Sequence, residues 1–334
     1  MLDWLAHGMV GPSLFAESQR NFHIDVLSIA QSHVHVMHAL LAASALHIRF
    51  RSNPSLTQPP PRTLTAALAS TNDDFAVVEA GHHLSATAGF RTALSSLSET
   101  TQIDPLLTTC MLLNMLSFAG LPEAEDDVRR WPFLGYGGEQ PLHWLRIQLG
   151  FAPLMGGLSI KAKRGSAWLA FFEGLDHNVL YDERDGTEGV PEAWCAFWAI
   201  RDDDGIDGHR YLRVVRRLVS ILAVWESVEA GNGATHDGRC LQYLQFMQGV
   251  DEAFICRLEA RDAKALVVYG WFMAILTYTN HWWCRSRAVR ECTAVVRYLD
   301  ETYGAALDDW LGFMAKAVGY ELKGSAIDRF LLEL

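Results

Sequence analysis

Asp203, Asp204 and Asp207 form a D-D-x-x-D pattern inside the run Asp202-Asp203-Asp204-Gly205-Ile206-Asp207. On a helix that spacing places the carboxylates on one face, where a hard cation such as Mg²⁺ finds oxygen ligands. Metals held there would offset the charge developing on a departing diphosphate. Gly205 and Gly208 weaken a helix at this point. The alternative is an acidic loop before the helix that starts near Tyr211, with negative charge meeting the positive helix end.

Lys264 is the second candidate. Asp262 reads as an N-cap, which puts Lys264 in the first turn of a very apolar helix. A cation there is unfavourable by up to about 1 kcal/mol unless an anion accompanies it. Free N–H groups at a helix start already favour an anion, and the lysine would complete a diphosphate site. Trp271, Tyr278 and Trp282 follow at +7, +14 and +18, so a continuous helix would carry all four on one face. Aromatic walls suit a carbocation, which is stabilised over a π face. The alternative is a solvated lysine beside ordinary core aromatics.

Other clusters carry less. His33 and His35 lie about 200° apart on a helix, and with His38 and His47 they read as core or surface residues. Asn72-Asp73-Asp74 to Glu79 misses a second metal motif by one residue of spacing. The six cysteines, at 110, 195, 240, 256, 284 and 292, contain no C-x2-C pair, so no zinc cluster can be written from them. Glycine-rich Gly135-Tyr136-Gly137-Gly138 reads as a loop, and no nucleophile elbow or phosphate-cradling glycine motif is present.

These residues need a helical frame, and the periodicity supplies one almost throughout. Val34, Met37, Leu41, Ala45 and Ile48 keep one face apolar. Asp104-Pro105 opens a helix towards Gly120, with the acid expected at the cap. A third runs from Tyr211 to Trp225, with Arg213, Arg216 and Arg217 mostly on its outer side. Ala265 to Cys284 is apolar almost all round and reads as one central, buried helix. Val289 to Tyr303 and Trp310 to Val318 follow. Breaks fall at residues 53–62, 132–141, 182–191 and 231–238, none long enough for a clear interdomain linker.

The chain has 334 residues, half of them hydrophobic, with 28 basic against 39 acidic side chains and a net charge of −11. That excess of acid, with only short basic runs, argues against direct nucleic acid binding. No segment reaches the roughly 20 apolar residues of a membrane span, and the N-terminus lacks a signal-peptide pattern. The expectation is one all-α domain over residues 1–334, soluble and cytoplasmic.

Val36-Met37-His38-Ala39-Leu40-Leu41-Ala42-Ala43-Ser44-Ala45-Leu46-His47 resembles a segment of the C-terminal regulatory domain of fungal zinc-cluster transcription factors of the sterol-uptake-control type. Gly81-His82-His83 to Phe90-Arg91-Thr92-Ala93-Leu94, Trp144-Leu145-Arg146-Ile147-Gln148-Leu149-Gly150, and Asp262 to Val268 with Trp282-Trp283 resemble further family elements in the same order. The resemblance implies a helical fold with an internal hydrophobic pocket for an isoprenoid ligand. Fungal sesquiterpene cyclases of the humulene-synthase type resemble the same domain. The zinc cluster that precedes the domain in the activators does not occur here, and the chain starts with Met1 at the domain itself, which inclines the reading to a cyclase.

The leading expectation is therefore a Mg²⁺-dependent sesquiterpene cyclase acting on farnesyl diphosphate. Asp203, Asp204 and Asp207 would bind metal, and Lys264 would hold the diphosphate and serve catalysis. Trp271, Tyr278 and Trp282 would line the pocket. The alternative is a non-catalytic regulatory domain sensing a sterol-like ligand, with a nuclear location. Homodimer formation stays open.

Overall fold

The computed structural model describes residues 26–52, 65–98, 101–120, 142–151, 153, 154, 166, 168, 187–201 and 209–323, with the side chains of 65–73 excepted. The fold is all-α, and no strand occurs among the described residues. The chain divides into two compact units, each drawn from separated stretches of sequence. No linker marks that division in the sequence, because both units are discontinuous.

The first unit comprises Met1–Gly120, Phe151–Leu175 and His281–Cys284. Its described helices include α1 (Val34–Ser52), α2 (Thr65–Ser95) and α3 (Asp104–Ala119). Val36, Ala39, Leu40, Ala43 and Leu46 recur along one face of α1 and are buried. α3 is apolar on nearly every side, with Pro105 in its first turn and Gly120 at its C-cap. Asp104 does not act as the cap. Ile103 holds that position, and the Asp104 carboxylate instead accepts a hydrogen bond from the Ser166 hydroxyl. A tertiary donor thus takes the acid that local spacing assigns to the helix end.

The second unit comprises Leu121–Gly150, Asp176–Asn280 and Arg285–Leu334. In chain order it holds α4 (His143–Leu149), α5 (Glu192–Trp198), α6 (Leu212–Glu229), α7 (His236–Tyr243), α8 (Glu252–Glu259) and α9 (Ala263–Thr277). Most of α10 (Trp282–Tyr303) and all of α11 (Asp308–Val318) complete it. Leu212, Val215, Leu218 and Leu222 form the buried stripe of α6. Arg216, expected on the outer side, is buried with them.

α9 is the centre of this unit, with every residue from Ala265 to Gly270 and from Phe272 to Thr277 buried. Gly270 lets α10 and α11 approach, since a Cβ there would come within 2.9 Å of Val295 Cγ1 and would run into Met314 Sδ. Gly319, at φ 67°, closes α11 in the left-handed conformation that glycine adopts without strain.

The helix expected over Ala265 to Cys284 is broken. α9 ends at Thr277, and α10 begins at Trp282. The hydroxyls of Thr277 and Thr279 donate back to the carbonyls of Ala274 and Leu276 at 2.7 and 2.8 Å. The Asn280 N–H donates to the Asp237 carboxylate instead of continuing the helix. Short polar side chains that bond to nearby backbone compete with helical propagation, and here two occur within three residues, Thr277 and Thr279.

Candidate functional site

The start of α9 is built around Asp262. Its Oδ1 accepts from the Ala265 N–H at 2.9 Å, capping the helix as the sequence implies, and also from the Tyr211 hydroxyl at 2.7 Å. Burial, and then the neighbouring Asp262, push the Tyr211 phenol well above its usual range. The guanidinium groups of Arg210 and Arg257 lie 5.3 and 5.5 Å from the Tyr211 ring centroid.

Lys264 sits half-buried one residue into the helix. Its Nζ lies 5.4 Å from the Phe197 ring centroid, and no acid pairs with it among the described residues. Its backbone carbonyl accepts from Trp198 Nε1 at 3.2 Å.

From Phe197 a continuous set of rings runs along α9. Phe197 stacks on Trp310 at 4.3 Å, Trp310 meets Trp194 at 5.7 Å, and Trp194 meets Trp271 edge-on at 5.1 Å. Phe313 then links Trp271, at 4.9 Å, to Trp225, at 5.2 Å. Tyr278 closes the row against Trp225 and His236 at 5.4 and 5.3 Å. Trp271 Nε1 donates to the Trp310 carbonyl at 2.7 Å, whereas Trp225 Nε1 is buried without an acceptor. Edge-to-face pairs of this kind contribute about 0.5–1.5 kcal/mol each beyond burial, so the row stiffens the unit.

At the far end, His236 Nε2 meets the Glu229 carboxylate at 2.9 Å and Nδ1 meets the Tyr243 hydroxyl at 2.8 Å. The phenol of Tyr243 is fully buried, and burial raises it far above its usual range, so it keeps its proton. A second buried network lies on the opposite flank of α9. Glu291, with no solvent exposure, accepts from Arg287 Nη1 at 2.7 Å and from the Tyr269 hydroxyl. Burial pushes the Glu291 carboxyl well above the ordinary carboxylate range. Arg287 lies 4.8 Å over the Trp144 ring.

Lys264, Trp271 and Tyr278 are thus joined through one aromatic row. Trp282 stands apart from it: with the helix broken after Thr277, its ring packs on His47 at 4.7 Å and Phe50 at 5.5 Å within the first unit. Asp203, Asp204 and Asp207 lie outside the described residues. Among those described, no three His, Cys, Asp or Glu side chains come together as metal ligands. Glu79 of the discarded second acid motif is paired with Arg49. None of the six cysteines forms a disulfide, and burial pushes the Cys110 thiol up to about 12.

Sequence reasoning missed Phe197, Trp310 and Phe313 as members of the row, and the Tyr269–Arg287–Glu291 network. Trp194 and Trp198, four apart on one helix face, were the available signal for an aromatic partner to α9.

Residues 12–131 match the family model of the fungal specific transcription factor domain. No curated protein and no solved structure matches the chain. No described helix is long and apolar enough to cross a membrane.

Proposed function

We propose that this chain is a regulatory, ligand-sensing domain of a fungal transcription factor, non-catalytic and responsive to a hydrophobic molecule of the sterol or isoprenoid class. The match of residues 12–131 to the transcription factor domain carries the reading. A net charge of −11 supports a role other than direct DNA contact. A nuclear location follows from the same reading. The packing of Trp194, Trp271, Trp310 and Phe313 on one another supports a structural role for the row, since their faces are largely taken by other rings.

The Mg²⁺-dependent cyclase is a second reading, favoured by one feature: the Lys264 ammonium has an aromatic ring and, among the described residues, no acid beside it. One pair of experiments separates the two. The whole chain is fused to a heterologous DNA-binding domain, and reporter output is followed as sterol and isoprenoid supply is varied. In parallel the purified chain is incubated with farnesyl diphosphate and Mg²⁺, with and without chelator. The regulatory reading expects a supply-dependent reporter, unchanged by Asp203→Asn, and no volatile product. A chelator-sensitive cyclic hydrocarbon overturns it in favour of the cyclase.

A further inference from the structure

α2 turns one face to α1 and leaves the opposite face in solvent. On the inner face Glu79 pairs with Arg49, His82 meets His38 nitrogen to nitrogen at 2.8 Å, and Ala86 is fully buried. Gly89 lies so close to α1 that a Cβ would come within 2.7 Å of His35 Cβ. Roughly half a turn away a second set recurs at alternating spacings of three and four: Asp74, Val77, Gly81, Leu84, Ala88 and Arg91. All six are exposed, Val77 to 74% and Leu84 to 73%. Scattered exposed apolar residues are ordinary on a monomer, but these lie in the heptad register of a helix-pairing seam. The charged residues at its two ends, Asp74 and Arg91, form no ion pair among the described residues.

We propose that this face of α2 docks on the same face of a second copy of the chain, antiparallel, about a twofold axis passing between His82 and His83. The pairing is self-complementary at every position of the seam. Asp74 meets Arg91 of the second copy, Val77 meets Ala88, and Leu84 meets Gly81, each contact occurring twice by symmetry. A Cβ at Gly81 would find nothing within 4 Å, so the large Leu84 has an open hole to enter. A parallel pairing sets Asp74 against Asp74, Arg91 against Arg91 and Leu84 against Leu84, losing both the charge match and the fit. That contrast selects the antiparallel over the parallel arrangement, and the match of the face to itself at all six positions is the reason to assign a second copy as its occupant. One helix face is a small interface, so the dissociation constant falls on the order of micromolar.

Sedimentation velocity on the full chain, over a concentration series spanning the micromolar range, tests this. A concentration-dependent dimer is expected, and Leu84→Glu abolishes it while the exposed position leaves the thermal melt unchanged. Asp74→Arg and Arg91→Asp each weaken the dimer about tenfold or more, because each creates two like-charge contacts. The double variant restores affinity to within a few-fold of the original. A chain that stays monomeric throughout overturns the proposal, as does a dimer indifferent to Leu84→Glu. A double variant no tighter than the single ones overturns the antiparallel register and with it the assignment of the partner.

Discussion

α2 and α9 are both rich in apolar and small residues, yet one is buried on one side and the other almost all round. In α9 even Gly270 has Val295 and Met314 against it. In α2, Gly81 has nothing within 4 Å, and Val77 and Leu84 stand in solvent. The difference teaches that a helix's own sequence states how apolar each face is, and that only its neighbours decide which faces are covered. The polar chemistry divides the same way. α9 spends its flanks on fully enclosed partners, Tyr269 with Glu291 among them, whereas α2 faces α1 through histidines that remain half-exposed.

The largest expected effect lies beside α9. Glu291→Ala removes the buried carboxylate that accepts from both Arg287 and Tyr269 and leaves a cavity beside a buried guanidinium, for a loss of about 3–5 kcal/mol. Urea midpoints measure it, and a loss below about 1 kcal/mol would show that the pair is solvated. Gly270→Ala overpacks the α9–α10–α11 contact by about 1–3 kcal/mol, only partly offset by about 1 kcal/mol of helix propensity.

Gly81→Ala supplies the opposite sign. At dilute, monomeric concentrations it stabilises by about 0.5–1 kcal/mol, since the added methyl meets open space and favours the helix. If both glycine variants shift the melt in the same direction, the contrast between the helices fails. Asp262→Ala removes the α9 cap and the acceptor of Tyr211, costing about 0.5–2 kcal/mol.

The smallest effect is a pH dependence confined to the α1–α2 region. Burial, and then the neighbouring His33, hold His35 below its usual range; burial does the same to His83. A histidine whose folded value is depressed contributes stability that is present above its unfolded value of about 6.5 and lost as pH falls through the folded value. Protection factors of the amides in α1 and α2, referred to the intrinsic exchange rate at each pH, are therefore expected to fall from pH 7.5 to pH 5 (an interval around that value), and His35→Gln with His83→Gln flattens the response. An equal fall in protection in the variant would assign the loosening to other groups.

Much of the helical frame was legible. The spacing of Val34 to Ile48 matches α1, and Asp262 caps α9 as its position before an apolar run implies. The stretch after Thr277 was not legible as a break, because apolar periodicity runs across it while the interruption depends on two threonine hydroxyls and on Asp237, distant in sequence. Trp282 accordingly left the predicted face for His47 and Phe50. Asp104 and Arg216 departed from their local expectations for a related reason, the first taken by Ser166 and the second enclosed with the buried face of α6.

The sequence by itself determined that this chain folds as helices, where most of them lie, and which of their faces are apolar, because those properties follow from spacings of three and four residues. Tertiary structure alone decided that Lys264 rests on Phe197, that Trp271 gives its N–H to Trp310, and that Val77 and Leu84 stay uncovered. Those outcomes depend on residues tens of positions away or on neighbours that are absent. A local repeat specifies a direction around a helix axis, but not what will be found there.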